Sequence, residues 1–197
     1  MPSVKFLGTL GLPLLKIPSG EITNLPYLEA MAAQKTPVLL STGMSTLDEI
    51  TDALGVLDDG GCPEVTILHC NTQYPTPYED VNLRMIPTLS QTFGCLTGLS
   101  DHTMGGAVAA GAVSLGARMV EKHLTLKRND GGPDGAFSME PQEFKEMVSQ
   151  IRILEKALGS SEYRLTPKQE KERAGSRSIF VAQDMAEGEV FTEQKIR

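Results

Sequence analysis

Five short apolar runs, each followed by a stretch with helical character, recur along this chain. The runs are Leu12 to Ile17, Thr36 to Leu40, Glu64 to Leu68, Cys95 to Leu99 and Ala117 to Val120. Each is too short for a helix and is bounded by Gly, Pro or Ser, which reads as a strand. They begin roughly 22–30 residues apart, the length of a strand-plus-helix unit in a parallel sheet. The intervening segments Leu25 to Gln34, Leu47 to Leu57, Asn82 to Phe93 and Gly105 to Leu115 read as helices. Thr46 and Glu49 have capping-box spacing for the second of them, and Pro87 is expected to kink the third or split off its first turn. In Pro141 to Leu158, Phe144, Met147, Val148, Ile151, Leu154 and Leu158 share one helical face, with Pro141 in the first turn and Gly159 as the stop.

Five units do not close an eight-stranded barrel, which needs about 250 residues. An open doubly wound sheet could use five strands, but it concentrates chemistry at one switch point. Here every strand end carries polar residues, which favours part of a (β/α)8 barrel with its first strands missing. The expected division is a partial barrel over 1–159, a linker over 160–177 and the start of a second domain over 178–197. In that last part Ser178 to Ala182 reads as a strand and Glu187-Gly188-Glu189 as a turn.

The 197 residues carry a net charge of −7, which argues against non-specific binding to nucleic acid. A small anion remains compatible, since a few cations can line one pocket. Three cysteines without metal-ligand spacing, Cys62, Cys70 and Cys95, point to a reducing compartment. No apolar run is long enough to span a membrane, and Pro13 and Lys16 interrupt the only stretch resembling a signal peptide. The expected location is the cytoplasm.

The three histidines, His69, His102 and His123, all follow predicted strands. Two on neighbouring strand ends could hold a divalent metal with open positions. A satisfied core histidine is the ordinary reading for one of them alone; three at one mouth favour a site. Lys16 lies inside an apolar run, where an unpaired charge is costly, and calls for an anionic ligand or Glu21 as partner. Ser19, Ser41 and Ser100 could complete an anion cradle, although serines after strands are ordinary turn residues. Asp101 and Glu121 could equally orient histidines or move protons.

Six strings taken together resemble the sialic acid synthase family. They are Lys16 to Glu21, Ser41 to Met44, His69 to Val81, Gly98 to Thr103, Glu121 to His123 and Gly132 to Asp134. The tail from Arg177 resembles the start of that family's antifreeze-like domain. The resemblance implies condensation of phosphoenolpyruvate with an N-acetylated amino sugar, N-acetylmannosamine or a di-acetamido deoxy hexose, to a nonulosonic acid with release of phosphate. It implies His102 and His123 as ligands of a divalent metal, manganese or alternatively magnesium. It implies Lys16, Ser19, Ser41 and Ser100 around phosphoenolpyruvate, and Glu21, Tyr74 and Asp134 facing the sugar, with Glu21 and Asp134 as candidate proton relays. Thr72 matches a phosphoenolpyruvate-contacting position occupied by Asn in some relatives, whereas here Asn71 comes one residue earlier. His69 argues mildly against the pseudaminic branch. The full-length family is a homodimer, and this chain alone is expected to lack appreciable activity. Rival readings are another phosphoenolpyruvate-dependent keto-deoxy sugar acid synthase, or a non-catalytic ligand-binding subunit.

Overall fold

The computed structural model describes residues 2–197. The chain divides into two compact units, Met1–Gly159 and Ser160–Arg197. The first unit alternates helix and strand: α1 (Pro2–Thr9), β1 (Leu15–Ile17), α2 (Leu25–Ala32), β2 (Val38–Ser41), α3 (Leu47–Asp59), β3 (Val65–Cys70), α4 (Met85–Phe93), β4 (Leu96–Asp101), α5 (Ala107–Ser114), β5 (Val120–Lys122) and α6 (Pro141–Leu158). All neighbouring strands pair in parallel, in the order β1-β2-β3-β4-β5.

The sheet curls. In a flat sheet the two outer strands of five would lie about 19 Å apart. Yet Lys16 Nζ on β1 reaches Glu121 Oε1 on β5 at 3.5 Å. A concave inner surface that brings the first and last strands within side-chain reach makes this a half-barrel. On the outer side, Leu15, Ile17, Val38, Leu40 and Ile67 pack against Leu28, Met31, Ile50, Ala53 and Leu57 of α2 and α3. Side chains alternate along a strand. The intervening residues Lys16, Ser41, Cys70, Ser100 and Glu121 therefore face the concave side.

Local chemistry accounts for most element boundaries. Thr46 and Glu49 form the expected capping box on α3. α6 begins at Pro141 behind a Glu140–Glu143 capping box and stops at Gly159, whose φ is 58°. Pro87 does not kink the helix; the expected first turn, from Asn82, is split off instead. α4 starts at Met85, so Pro87 falls in its first turn, where no intrahelical N–H bond is lost.

Three strands extend further than expected, and the last is displaced. β2, β3 and β4 continue through Ser41, Cys70 and Asp101, and β5 occupies Val120–Lys122 rather than Ala117 to Val120. Ala117 instead closes the end of α5 through an N–H bond to the Ala112 carbonyl. In the second unit, α7 (Pro167–Glu172) is the short helix of the charged segment. The strand expected over Ser178 to Ala182 reduces to an antiparallel bridge between Val181 and Ile196, flanked by backbone bonds from Phe180 to Arg197 and from Ala182 to Lys195. Glu187 and Gly188 form the expected turn. Among the described residues no helix is long and apolar enough to cross a membrane.

Candidate active site

The floor of the concave face is charged. Lys16 is held by Glu121, and the Ser100 hydroxyl donates to the same Glu121 oxygen at 2.7 Å. Glu121, not Glu21, is therefore the partner of Lys16. Glu21 follows β1 in a 3-10 turn and accepts from Asn24 Nδ2 at 2.6 Å. Cys70 lies beside Ser19, Ser100 and Lys16; burial pushes its thiol up, so it sits there as a neutral group rather than a nucleophile.

Next to this floor the ends of β1, β2 and β3 converge on Gly43. Its N–H donates to Ser19 Oγ at 2.8 Å. A Cβ at this position would lie 2.7 Å from Thr72 Cγ2, 2.9 Å from Ser19 Oγ and 3.0 Å from Cys70 Sγ. Only glycine fits. Ser19, Thr72 and Cys70 thus share one corner of the site with the backbone of residue 43. Sequence reasoning quoted Gly43 within a string but gave it no role; its position directly after a strand was the available signal. The Ser41 hydroxyl is buried and has no hydrogen-bond partner among the described residues.

The third group is aromatic. His102 and His123 stand edge to face with ring centres 5.2 Å apart. Tyr74 covers His102 at 4.2 Å and lies 5.9 Å from His123. Phe137, buried, closes the cluster at 5.1 Å from His123 and 5.6 Å from Tyr74. Asp134 Oδ2 lies 3.6 Å from His123 Nδ1. No sequence signal marked Phe137, which sits in an irregular loop without periodicity.

His102 Nδ1 bonds the Asn71 carbonyl at 2.6 Å. A carbonyl only accepts, so Nδ1 carries the proton and Nε2 keeps its lone pair. Burial holds His102 below the usual histidine range, in its neutral form. That is the state a metal ligand needs. Asn71 acts here through its backbone; its side chain is tied to the Asp80 carbonyl and the Gln73 N–H. His69 does not join the other two. It alternates with Cys70 to the outer side, and its Nε2 bonds the Val81 carbonyl at 2.7 Å. The expectation of three histidines at one mouth is corrected to two.

Two imidazoles at adjacent positions on one ion would have ring centres about 5 Å apart. His102 and His123 match that spacing, and the lone pair on His102 fits a divalent cation. Among the described residues no group of three or more His, Cys, Asp or Glu is arranged to hold a metal. An ion bound here would take its other ligands from water and substrate. A groove of about 830 Å³ runs between α5, β5 and α6, but none of the candidate site residues lines it.

A curled parallel sheet with charged, hydroxyl and imidazole groups gathered at the carboxyl ends of its strands is the arrangement of a barrel enzyme. Comparison with known proteins narrows this. Residues 1–163 match the model of the NeuB family. The chain is 43% identical over 196 residues to an N,N'-diacetyllegionaminic acid synthase of Campylobacter jejuni, covering 98% of this chain and 59% of that relative. It is 40% identical over 196 residues to a pseudaminic acid synthase of Helicobacter pylori, covering 99% of this chain and 58% of that relative. The crystal structure of an N-acetylneuraminic acid synthetase from Leptospira borgpetersenii in complex with citrate superposes with a TM-score of 0.82 at 32% identity, covering 89% of this chain and 61% of that one. A DAHP synthase from Thermotoga maritima, 17% identical with a TM-score of 0.69 over 80% of this chain and 49% of that one, shares the fold. The chain belongs to the NeuB family, an enzyme family by its named relatives, and spans less than two thirds of the length of those it matches.

Proposed function

We propose that this chain forms the part of a synthase site that holds phosphoenolpyruvate and a divalent metal, for condensation with an N-acetylated amino sugar to a nonulosonic acid. The observation that carries the reading is the gathering of Lys16, Ser100 and Glu121 with the His102–His123 pair on one concave face.

Lys16 supplies the positive charge for the phosphate or carboxylate of phosphoenolpyruvate, exchanging Glu121 for the ligand. Ser19, Ser41 and Ser100 donate hydroxyl bonds, and Thr72 bounds the same corner. Together they fix the ligand with its C3 toward the sugar carbonyl, which turns an encounter of two molecules into a positioned reaction. A manganese or magnesium ion held by His102 and His123 would polarise that carbonyl. Tyr74, Asp134 and Glu21 face the sugar. As C3 bonds to the sugar carbonyl carbon, the carbonyl pair moves onto its oxygen; Asp134 takes a proton from the water that adds at C2 and passes it to that oxygen, phosphate then leaves by C–O cleavage carrying the remaining hydroxyl proton, and Glu21 is the alternative relay.

Calorimetric titration of the chain with manganese and phosphoenolpyruvate tests the reading. The expected result is loss of phosphoenolpyruvate binding in Lys16→Met and loss of manganese binding in His102→Ala and His123→Ala. Unchanged binding of both ligands in all three variants would contradict it.

A further inference from the structure

On the outer side of the sheet, directly behind the two imidazoles, lies a buried ion pair that takes no part in the proposed chemistry. Lys122 Nζ donates to Asp101 Oδ2 at 2.8 Å, and the two side chains are 2% and 1% exposed. The same ammonium donates to the Thr103 carbonyl at 2.6 Å. The other Asp101 oxygen accepts from the Thr103 N–H at 2.9 Å. These bonds form a closed ring around the backbone of residue 102, anchored on β5. Asp101 and Lys122 are register partners in the β4–β5 pair, and His102 and His123 are the residues that follow them.

Burying two opposite charges is a poor way to gain stability, because desolvation offsets most of the attraction. A well-packed apolar pair of similar volume is often as stable or more so. The pair does supply a fixed distance. It ties the peptide on each side of His102 to the residue preceding His123, while the Asn71 carbonyl fixes the His102 ring itself. We infer that Asp101 and Lys122 are positioning residues that set the relative placement of the two imidazoles. The inference rests on the reading of His102 and His123 as metal ligands.

The test is manganese affinity of the chain, followed by electron paramagnetic resonance, with the coordinated nitrogens counted by spin-echo modulation. In the double variant Asp101→Leu/Lys122→Met, the expected result is a melting temperature equal to or above that of the parent, with affinity lowered at least about tenfold. The nitrogen count should fall from two. Parent affinity and two nitrogens in the folded double variant would overturn the inference. Lys122→Arg keeps a buried charged pair but changes its length, and decides the matter if the double variant does not fold: lowered affinity supports positioning, parent affinity overturns it. His102→Ala separates the two levels. If it binds manganese like the parent, the ligand reading itself fails. If it loses binding while the Asp101 and Lys122 variants do not, only the positioning role fails.

Discussion

The Ser41 hydroxyl is buried on the concave side without a partner among the described residues, so deleting it removes no hydrogen bond seen in the fold. An unmade bond to a buried polar group is a standing cost. Ser41→Ala should therefore leave stability within about 1 kcal/mol of the parent, or raise it, while weakening phosphoenolpyruvate binding. Urea denaturation and calorimetry on the same protein check both halves, and a large loss of stability with intact binding would contradict them. His69 makes a separate prediction. Burial holds it below the usual histidine value of about 6.5. Below that pH the unfolded chain takes up a proton that the folded chain resists, so the stability contributed by neutral His69 is present above about 6.5 and lost as pH falls through the lower folded value. Urea midpoints at neutral and mildly acidic pH should fall more steeply for the parent than for His69→Gln; parallel slopes would count against it.

Among elements, three strand ends crowd together at residue 43. A methyl group in Gly43→Ala would meet side chains from β3 and from the turns after β1 and β3. Such overpacking costs about 1–3 kcal/mol, and it should also displace Ser19 and Thr72. Both a lower urea midpoint and weaker phosphoenolpyruvate binding are expected; parent values for both would show that the corner relaxes freely. The order of strands and helices was legible in the sequence because apolar period and caps are local signals: Thr46 with Glu49, Pro141, Gly159. The carboxyl ends of the strands were less so. Ser100, Asp101, Glu121 and Lys122 read as loop because they are polar, yet one member of each pair faces the concave site and the other meets its partner in a buried ion pair. Polarity at a strand end reports which side a residue serves only once the register is known. The same limit hid His69, whose neighbour Cys70 takes the inward position.

Across the whole unit, the curl of the sheet does what no local pattern can. Lys16 and Glu121 are separated by nearly the whole chain of strands, and the closer candidate Glu21 was the natural expectation. Only the curvature that brings β1 to face β5 exposes the real pair. The same curvature lets an acidic chain of net charge −7 offer one ammonium group to an anion beside two imidazoles. The six matching strings alone could not have distinguished residues that line the face from those behind it.

The central claim is that an anion on Lys16 and a metal on His102 and His123 occupy one cavity. Paramagnetic relaxation of the phosphoenolpyruvate phosphorus by bound manganese measures that directly. Strong broadening of the phosphorus signal in the parent, abolished in His102→Ala and in Lys16→Met, is the predicted result. Tight binding of both ligands with an unbroadened signal would mean that they lie far apart, and would contradict the account.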